Sequence, residues 1–208
     1  MAGSTAIEEK LDALMDAVCV QAILMEESRR SGFIAPKACR ERPHIVFVSS
    51  ETFTGNVQVA GDADGKCNRL AENAGLPGIY KAWITGERSP DSNPPAFRFA
   101  RAFGPYLLVD GTLIANDWDD LTDGTLAAPI DLNEKGESTS VEVWTNVSVD
   151  GTRLNVTIET TCNNFNPPIG ESELFTGIFG VSTETGPAWT NSGVDTCDQM
   201  KALYCFGQ

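Results

Sequence analysis

The chain closes on Thr196-Cys-Asp-Gln-Met-Lys-Ala-Leu-Tyr-Cys-Phe206. Each cysteine of this stretch, Cys197 and Cys205, has a cysteine upstream to meet, Cys162 and Cys67. Four cysteines distributed this way in one acidic chain read as two nested disulfides. Disulfides persist in oxidising surroundings and are rare in the cytosol. The pattern therefore points to an extracellular or particle-surface module rather than a cytosolic enzyme.

Working outward, the 208 residues suffice for one core with an appendage, and 41% hydrophobic content places the chain among globular proteins. No apolar run approaches the ~20 residues of a membrane-spanning helix. The formal charge is −14 and the pI about 4.4. A polyanion would be repelled, which argues against nucleic acid, anionic polysaccharide and anionic lipid as partners. A secretion signal needs a basic start and an uninterrupted apolar run. Here Glu8, Glu9, Asp12 and Asp16 come first and Gln21 interrupts the apolar residues after them. The expectation is either a leader absent from this sequence or release by another route. A virion or phage component freed by lysis fits both observations.

Residues 6–30 are predicted to form a helix. Ile7, Leu11, Leu14, Val18 and Met25, with Gln21 in the remaining slot, have the 4–3 spacing of a coiled-coil seam. The seam is short for a free coiled coil. It suits either an amphipathic helix packed on its own domain or an association helix, and Ile23 and Leu24 favour contact with something further. Gly32 and Pro36 end the helix, and the chain divides into an N-terminal helix and connector (1–43) and a main domain (44–208). Cys19 and Cys39 either pair with each other or remain thiols.

In the main domain, His44–Ser49 and Ile79–Ile84 read as strands. Between them Asp62 is expected to N-cap a helix carrying Cys67, Leu70 and Ala71 on one face. Gly75 would end that helix in a left-handed C′ position, with Leu76 as the hydrophobic contact. Tyr106–Val109 and Thr112–Ile114 flank Asp110-Gly111 as a hairpin. Ser140–Trp144 and Val156–Ile158 read as further strands, and Asp150-Gly151 as a turn. Pro90–Pro95 reads as a loop. Asn163–Gly193, rich in Gly, Pro, Asn, Ser and Thr, is expected to be mostly loop.

These elements carry a resemblance. Val57-Gln-Val-Ala-Gly61-Asp-Ala-Asp64, then Cys67, then Ala74-Gly-Leu-Pro-Gly78-Ile-Tyr-Lys-Ala-Trp83 resemble the opening of endostatin, the collagen C-terminal domain. Leu113–Trp118 with Leu121, Val143-Trp144, and Asp150-Gly-Thr-Arg-Leu154 resemble its later elements. Cys162, Cys197 and Cys205 come in the family's order. The stretches Val46–Val48 to Trp83 and Asp119–Gly124 are more similar still to a bacterial family of this class found in secreted proteins and surface lipoproteins. Over residues 44–206 the resemblance implies an α+β, C-type-lectin-like fold of short mixed strands, one main helix and long loops. It implies the pairings Cys67–Cys205 and Cys162–Cys197. Endostatin's arginine-cluster heparin binding and histidine zinc binding do not carry over, because the chain is acidic and His44 is its only histidine.

No catalytic, cofactor or metal residue is assigned from the sequence. A hydrolytic triad needs a histidine base, and His44 opens a core strand. Asp117–Gly124 and Asp62–Gly65 are oxygen-rich, but neither fits the calcium-loop pattern. Helix capping and turn formation are the preferred readings, with calcium a subordinate alternative. The triplets at Asn146 and Asn155 match glycosylation acceptors by pattern alone. The leading expectation is a non-enzymatic surface or virion structural or adhesion module. It would recognise a protein or neutral glycan through the loops 86–104 and 163–195, with Phe97, Phe99, Phe103, Phe165 and Trp189 as candidate contacts, burial beneath those loops being the preferred reading for most of them. The N-terminal helix would bind further copies of the chain or a larger assembly. The alternatives are a carboxylate-dependent polysaccharide hydrolase and a purely structural decoration protein.

Overall fold

In a computed structural model, residues 42–57, 61–86, 93–101, 104–154, 160–167 and 170–208 are described, together with Val18, Cys19 and Gln21. The seam residues Ile7, Leu11, Leu14 and Met25, the connector up to residue 41, and the expected strand Val156–Ile158 lie outside them. Among the described residues the architecture is α+β, with few helices and two sheets.

The first sheet is built on β1 (His44–Val48) and β8 (Tyr204–Gly207). Their residues alternate between two apolar faces. Val46, Val48, Tyr204 and Phe206 point into one core cluster; Phe47 and Cys205 point into the other. Successive strand side chains face opposite sides, so a run that is apolar at every position specifies a strand buried on both faces. β8 lies antiparallel between β1 and β2 (Tyr80–Ala82), with Val46 opposite Phe206 and Ala82 opposite Cys205. β3 (Tyr106–Leu108) runs parallel to β1, and β4 (Leu113–Ala115) closes the order β2-β8-β1-β3-β4. The expected hairpin joins β3 and β4: the Leu108 amide donates to Thr112 O, and Thr112 N donates to the Asp110 carboxylate at 2.9 Å.

Helix α1 (Gly61–Asn73) covers one face of this sheet and buries Cys67, Leu70 and Ala71. It starts one residue before Asp62, which therefore lies inside the first turn rather than at the cap. There its charge still complements the helix dipole, and its carboxylate meets Lys66 one turn on. The helix ends as expected. Gly75 takes φ +74°, and the Leu76 amide reaches back to Ala71 O at 2.9 Å.

On the other face, Trp83 is the hub. Its ring lies 4.9 Å from Trp189, 5.3 Å from Phe206 and 5.9 Å from Phe99, and its indole N–H donates to Thr190 Oγ1 at 2.8 Å. Offset and edge-on aromatic pairs of this kind contribute roughly 0.5–1.5 kcal/mol each beyond the area they bury.

The second sheet corrects the sequence reading. β5 (Glu142–Trp144), β6 (Thr176–Val181) and β7 (Gly193–Thr196) form an antiparallel sheet with β6 at its centre. The stretch 163–193, expected to be mostly loop, holds this six-residue strand. The glycines that suggest loop are close-approach positions. A Cβ on Gly177 would stand 2.7 Å from Cys162 Sγ and 2.9 Å from the Trp144 ring; one on Gly180 would collide with the Trp189 carbonyl. The segment Lys201–Leu203 stitches the two sheets together: Ala202 pairs with Val143 while Lys201 pairs with Phe53.

Both expected disulfides form among the described residues. Cys67–Cys205 fastens α1 to β8, with Cα atoms 5.4 Å apart. Cys162–Cys197 fastens the second sheet's approach to the start of the closing segment, at 5.6 Å. Cys19 is buried and also disulfide-bonded, so it is not a free thiol.

Candidate functional site

The residues expected to recognise a ligand separate once the backbone is placed. Phe99 is 4% exposed, and Phe165 and Trp189 are fully buried, so these three belong to the core and present nothing to a partner. Phe103 lies outside the described residues. Phe97 is 75% exposed.

Phe97 sits on α2 (Pro95–Arg98), a single turn held from several sides. Pro95 at the start of the turn pre-sets its backbone angle. Pro95 and Ala96 face inward, and the Ala96 amide donates to Gly151 O at 2.9 Å. The Phe97 and Phe99 amides close on Pro94 O and Pro95 O. Arg98 is the main anchor. Its Nη1 meets both carboxylate oxygens of Asp64, at 2.7 and 2.6 Å. Its Nη2 donates to Ala82 O and its Nε to Asn93 O. Asp64 in turn accepts from the Ala82 amide at 2.8 Å, so α1, β2 and α2 meet on one ion pair. A planar, largely buried arginine fork of this kind fixes geometry as well as neutralising charge.

Beside Phe97 lies an open depression of about 430 Å³, lined by Asn93, Pro94, Phe97, Thr152 and Arg153. Thr152 is fixed by its own turn: its amide and hydroxyl both donate to Asp150 Oδ1, at 3.0 and 2.6 Å.

A second unusual feature stands at the first cysteine of the small disulfide. Cys162, Asn163, Asn164 and Phe165 have φ of 50°, 50°, 61° and 54°. The Phe165 amide donates to Thr161 O and the Asn166 amide to Cys162 O, which makes one turn of left-handed helix. Non-glycine residues in this conformation cost about 1–2 kcal/mol each, less for Asn. Gly55 and Gly177 press on Cys162 from two sides, each without room for a Cβ.

The groups most suited to chemistry are occupied in the scaffold. His44 is buried; its Nδ1–H donates to Gly207 O at 2.9 Å and its ring packs against Tyr106. Burial pushes its pKa below the ordinary value, and Arg42 adds to that against the opposing hydrogen bond. Lys201, 2% exposed, meets Glu142 and Asp195 and lies 4.3 Å over the Phe179 ring. The hydrogen bond from Lys201 holds Asp195 below the usual carboxylate range. Glu134 accepts from the Ser50 amide and hydroxyl.

In the acidic stretch, Asp117 caps α3 (Trp118–Leu121) by accepting from Asp120 N. Asp120 accepts from Asn116, and Asp123 from Thr125. These are the capping and turn roles. Among the described residues no group of three or more His, Cys, Asp or Glu is placed to hold a metal. Asn146, whose triplet matches a glycosylation acceptor, is fully buried and accepts from the Ile178 amide, so it cannot take a glycan in this fold. Val18, the described member of the N-terminal seam, is 54% exposed. No described helix is long and apolar enough to cross a membrane.

Sequence reasoning missed the Arg98–Asp64 clamp and the Lys201 cluster. Both join residues distant in the chain, and no local spacing announces them. No protein-family model matches the chain, and no curated protein is similar to it.

Proposed function

We propose that this chain is a non-enzymatic surface or virion module. Its main domain is an endostatin-like, C-type-lectin-like fold that recognises a protein or a neutral glycan through loops outside the two sheets. Its N-terminal helix docks or oligomerises it. The observation that carries this reading is the double staple. One disulfide ties the main helix to the last strand and the other fixes the segment leading into the second sheet, which is how a small extracellular scaffold holds loops rigid. The α+β layout, the order of the cysteines and the engagement of His44 and the buried carboxylates in structural contacts support it.

The test compares the full chain with two kinds of variant in adhesion to intact cells. One kind shortens the stretch 86–92 or replaces the exposed residues of 170–174; the other lacks residues 1–41. Because β6 runs through 176–181, the whole stretch 163–193 cannot be removed without losing the second sheet. Adhesion should fall with the loop changes, and particle mass should fall with the N-terminal truncation. Adhesion that survives every loop change and disappears only with the truncation would leave a decoration protein held by its helix. Turnover of a polysaccharide panel, lost on replacing an Asp or Glu, would make the chain a hydrolase.

A further inference from the structure

We propose that the depression beside Phe97 binds a neutral oligosaccharide, with the Phe97 ring as the platform on which a sugar ring stacks. The proposal rests on the recognition reading above and names its ligand and its subsite.

Three observations converge. The first is the ring itself. Phe97 exposes 75% of its surface although both flanking residues are pinned: Ala96 to Gly151, Arg98 to Asp64, Ala82 and Asn93. The backbone leaves this residue no route into the core, so the ring is held out in a preorganised position, and little ordering entropy remains to be lost on binding.

The second is the chemistry of the lining. Asn93 offers an amide that both donates and accepts. The Thr152 hydroxyl already donates its hydrogen bond to Asp150, so toward a ligand it accepts. Arg153 donates. A sugar presents hydroxyls that need both kinds of partner, together with a C–H face that packs on an aromatic ring. Pro94 extends the apolar floor. Among the described residues the lining has no carboxylate.

The third is size and charge. About 430 Å³ suits a small ligand rather than the broad face of a standard protein interface. Arg153 is a cation in the lining, but the chain as a whole carries −14, so an acidic glycan would meet long-range repulsion.

The experiment uses the full chain on an array of neutral gluco-, manno-, galacto- and N-acetylhexosamine oligosaccharides. Wild type should bind at least one series. Phe97→Ala should weaken that binding at least about tenfold, and Phe97→Trp should retain it. Because the ring is exposed, Phe97→Ala should melt with wild type. Leu174→Ala, at another exposed apolar residue, should bind as wild type does. Binding to none of the four series overturns the proposal, while the recognition reading stays open to a protein partner and is judged by the loop variants. Binding that Phe97→Ala leaves unchanged moves the sugar site elsewhere and overturns the assignment. Loss of adhesion in Phe97→Ala without any oligosaccharide bound overturns the ligand class.

Discussion

The two sheets of this protein are specified by different means. In the five-stranded sheet, β1 and β8 are apolar at nearly every position, and alternation alone distributes Val46, Val48, Tyr204 and Phe206 to one core and Phe47 and Cys205 to the other. In the three-stranded sheet, β6 holds its place through what it lacks. Gly177 and Gly180 let Cys162, Trp144 and the Trp189 carbonyl approach the strand directly. The first sheet tolerates volume-conserving change, because burial is spread over many side chains. The second depends on a few positions where nothing larger fits, on a left-handed turn and on a disulfide. The loops beside the second sheet therefore rest on the more exacting support.

Cutting the staples separately gives the largest expected contrast. By the chain-entropy account, a cross-link 138 residues apart is worth about 5 kcal/mol and one 35 residues apart about 4 kcal/mol. Cys67→Ala/Cys205→Ala should therefore lower the denaturant midpoint more than Cys162→Ala/Cys197→Ala does. Hydrogen exchange should then divide the two. Loss of the small bridge should unprotect β6 and β7 while β1 and β8 keep their protection. Equal loss across both sheets would mean that the regions unfold as one unit.

Backbone substitutions sharpen the same contrast. Gly180→Ala should cost about 3 kcal/mol or more, because its Cβ meets backbone that cannot swing aside. Gly65→Ala, in α1 with open space around it, should stabilise by roughly 0.5–1 kcal/mol. Asn164→Val should cost about 1–2 kcal/mol while Asn164→Gly stays near neutral, since a β-branched residue resists φ of 61°. Thermal melts of the set measure all four. Equal tolerance of Val and Gly at 164 would remove the left-handed turn from the account.

The same difference between the sheets decides how much of the fold is legible in the sequence. β1, α1 with its Gly75 stop, the Asp110-Gly111 hairpin and the Asp150-Gly151 turn are each coded by neighbours in the chain, so pattern finds them. β6 is hidden because the residues that make it a strand act on Trp189 and Cys162, partners known only after folding. For the same reason the sequence leaves Phe99, Phe165 and Trp189 open between contact and burial, with burial the preferred reading for most of the loop aromatics. Their flanks are polar and loop-like, while their rings are claimed by Trp83 and Trp144. Phe97 differs from Phe99 by two positions along one pinned turn, and that offset sends one ring out and the other in.

A smaller effect belongs to the first sheet. His44 is the chain's only histidine, and burial at the start of β1 lowers its pKa. Its folded pKa lies below its ordinary value of 6.5, so the unfolded chain binds the extra proton first as pH falls. The stability it supports is full above pH 6.5 and erodes below that, toward the folded pKa. Urea midpoints between about pH 7.5 and 5 should decline for wild type and decline less for His44→Gln. Parallel profiles would place the imidazole in water.

The staples underlie the fold, the proposed surface location and the rigidity of the loops, and peptide mapping under non-reducing conditions tests them directly. Digestion of protein from its native source, with free thiols blocked beforehand, should return Cys67 joined to Cys205 and Cys162 joined to Cys197. Recovery of these four as blocked thiols, or of Cys67 joined to Cys162, would contradict the account.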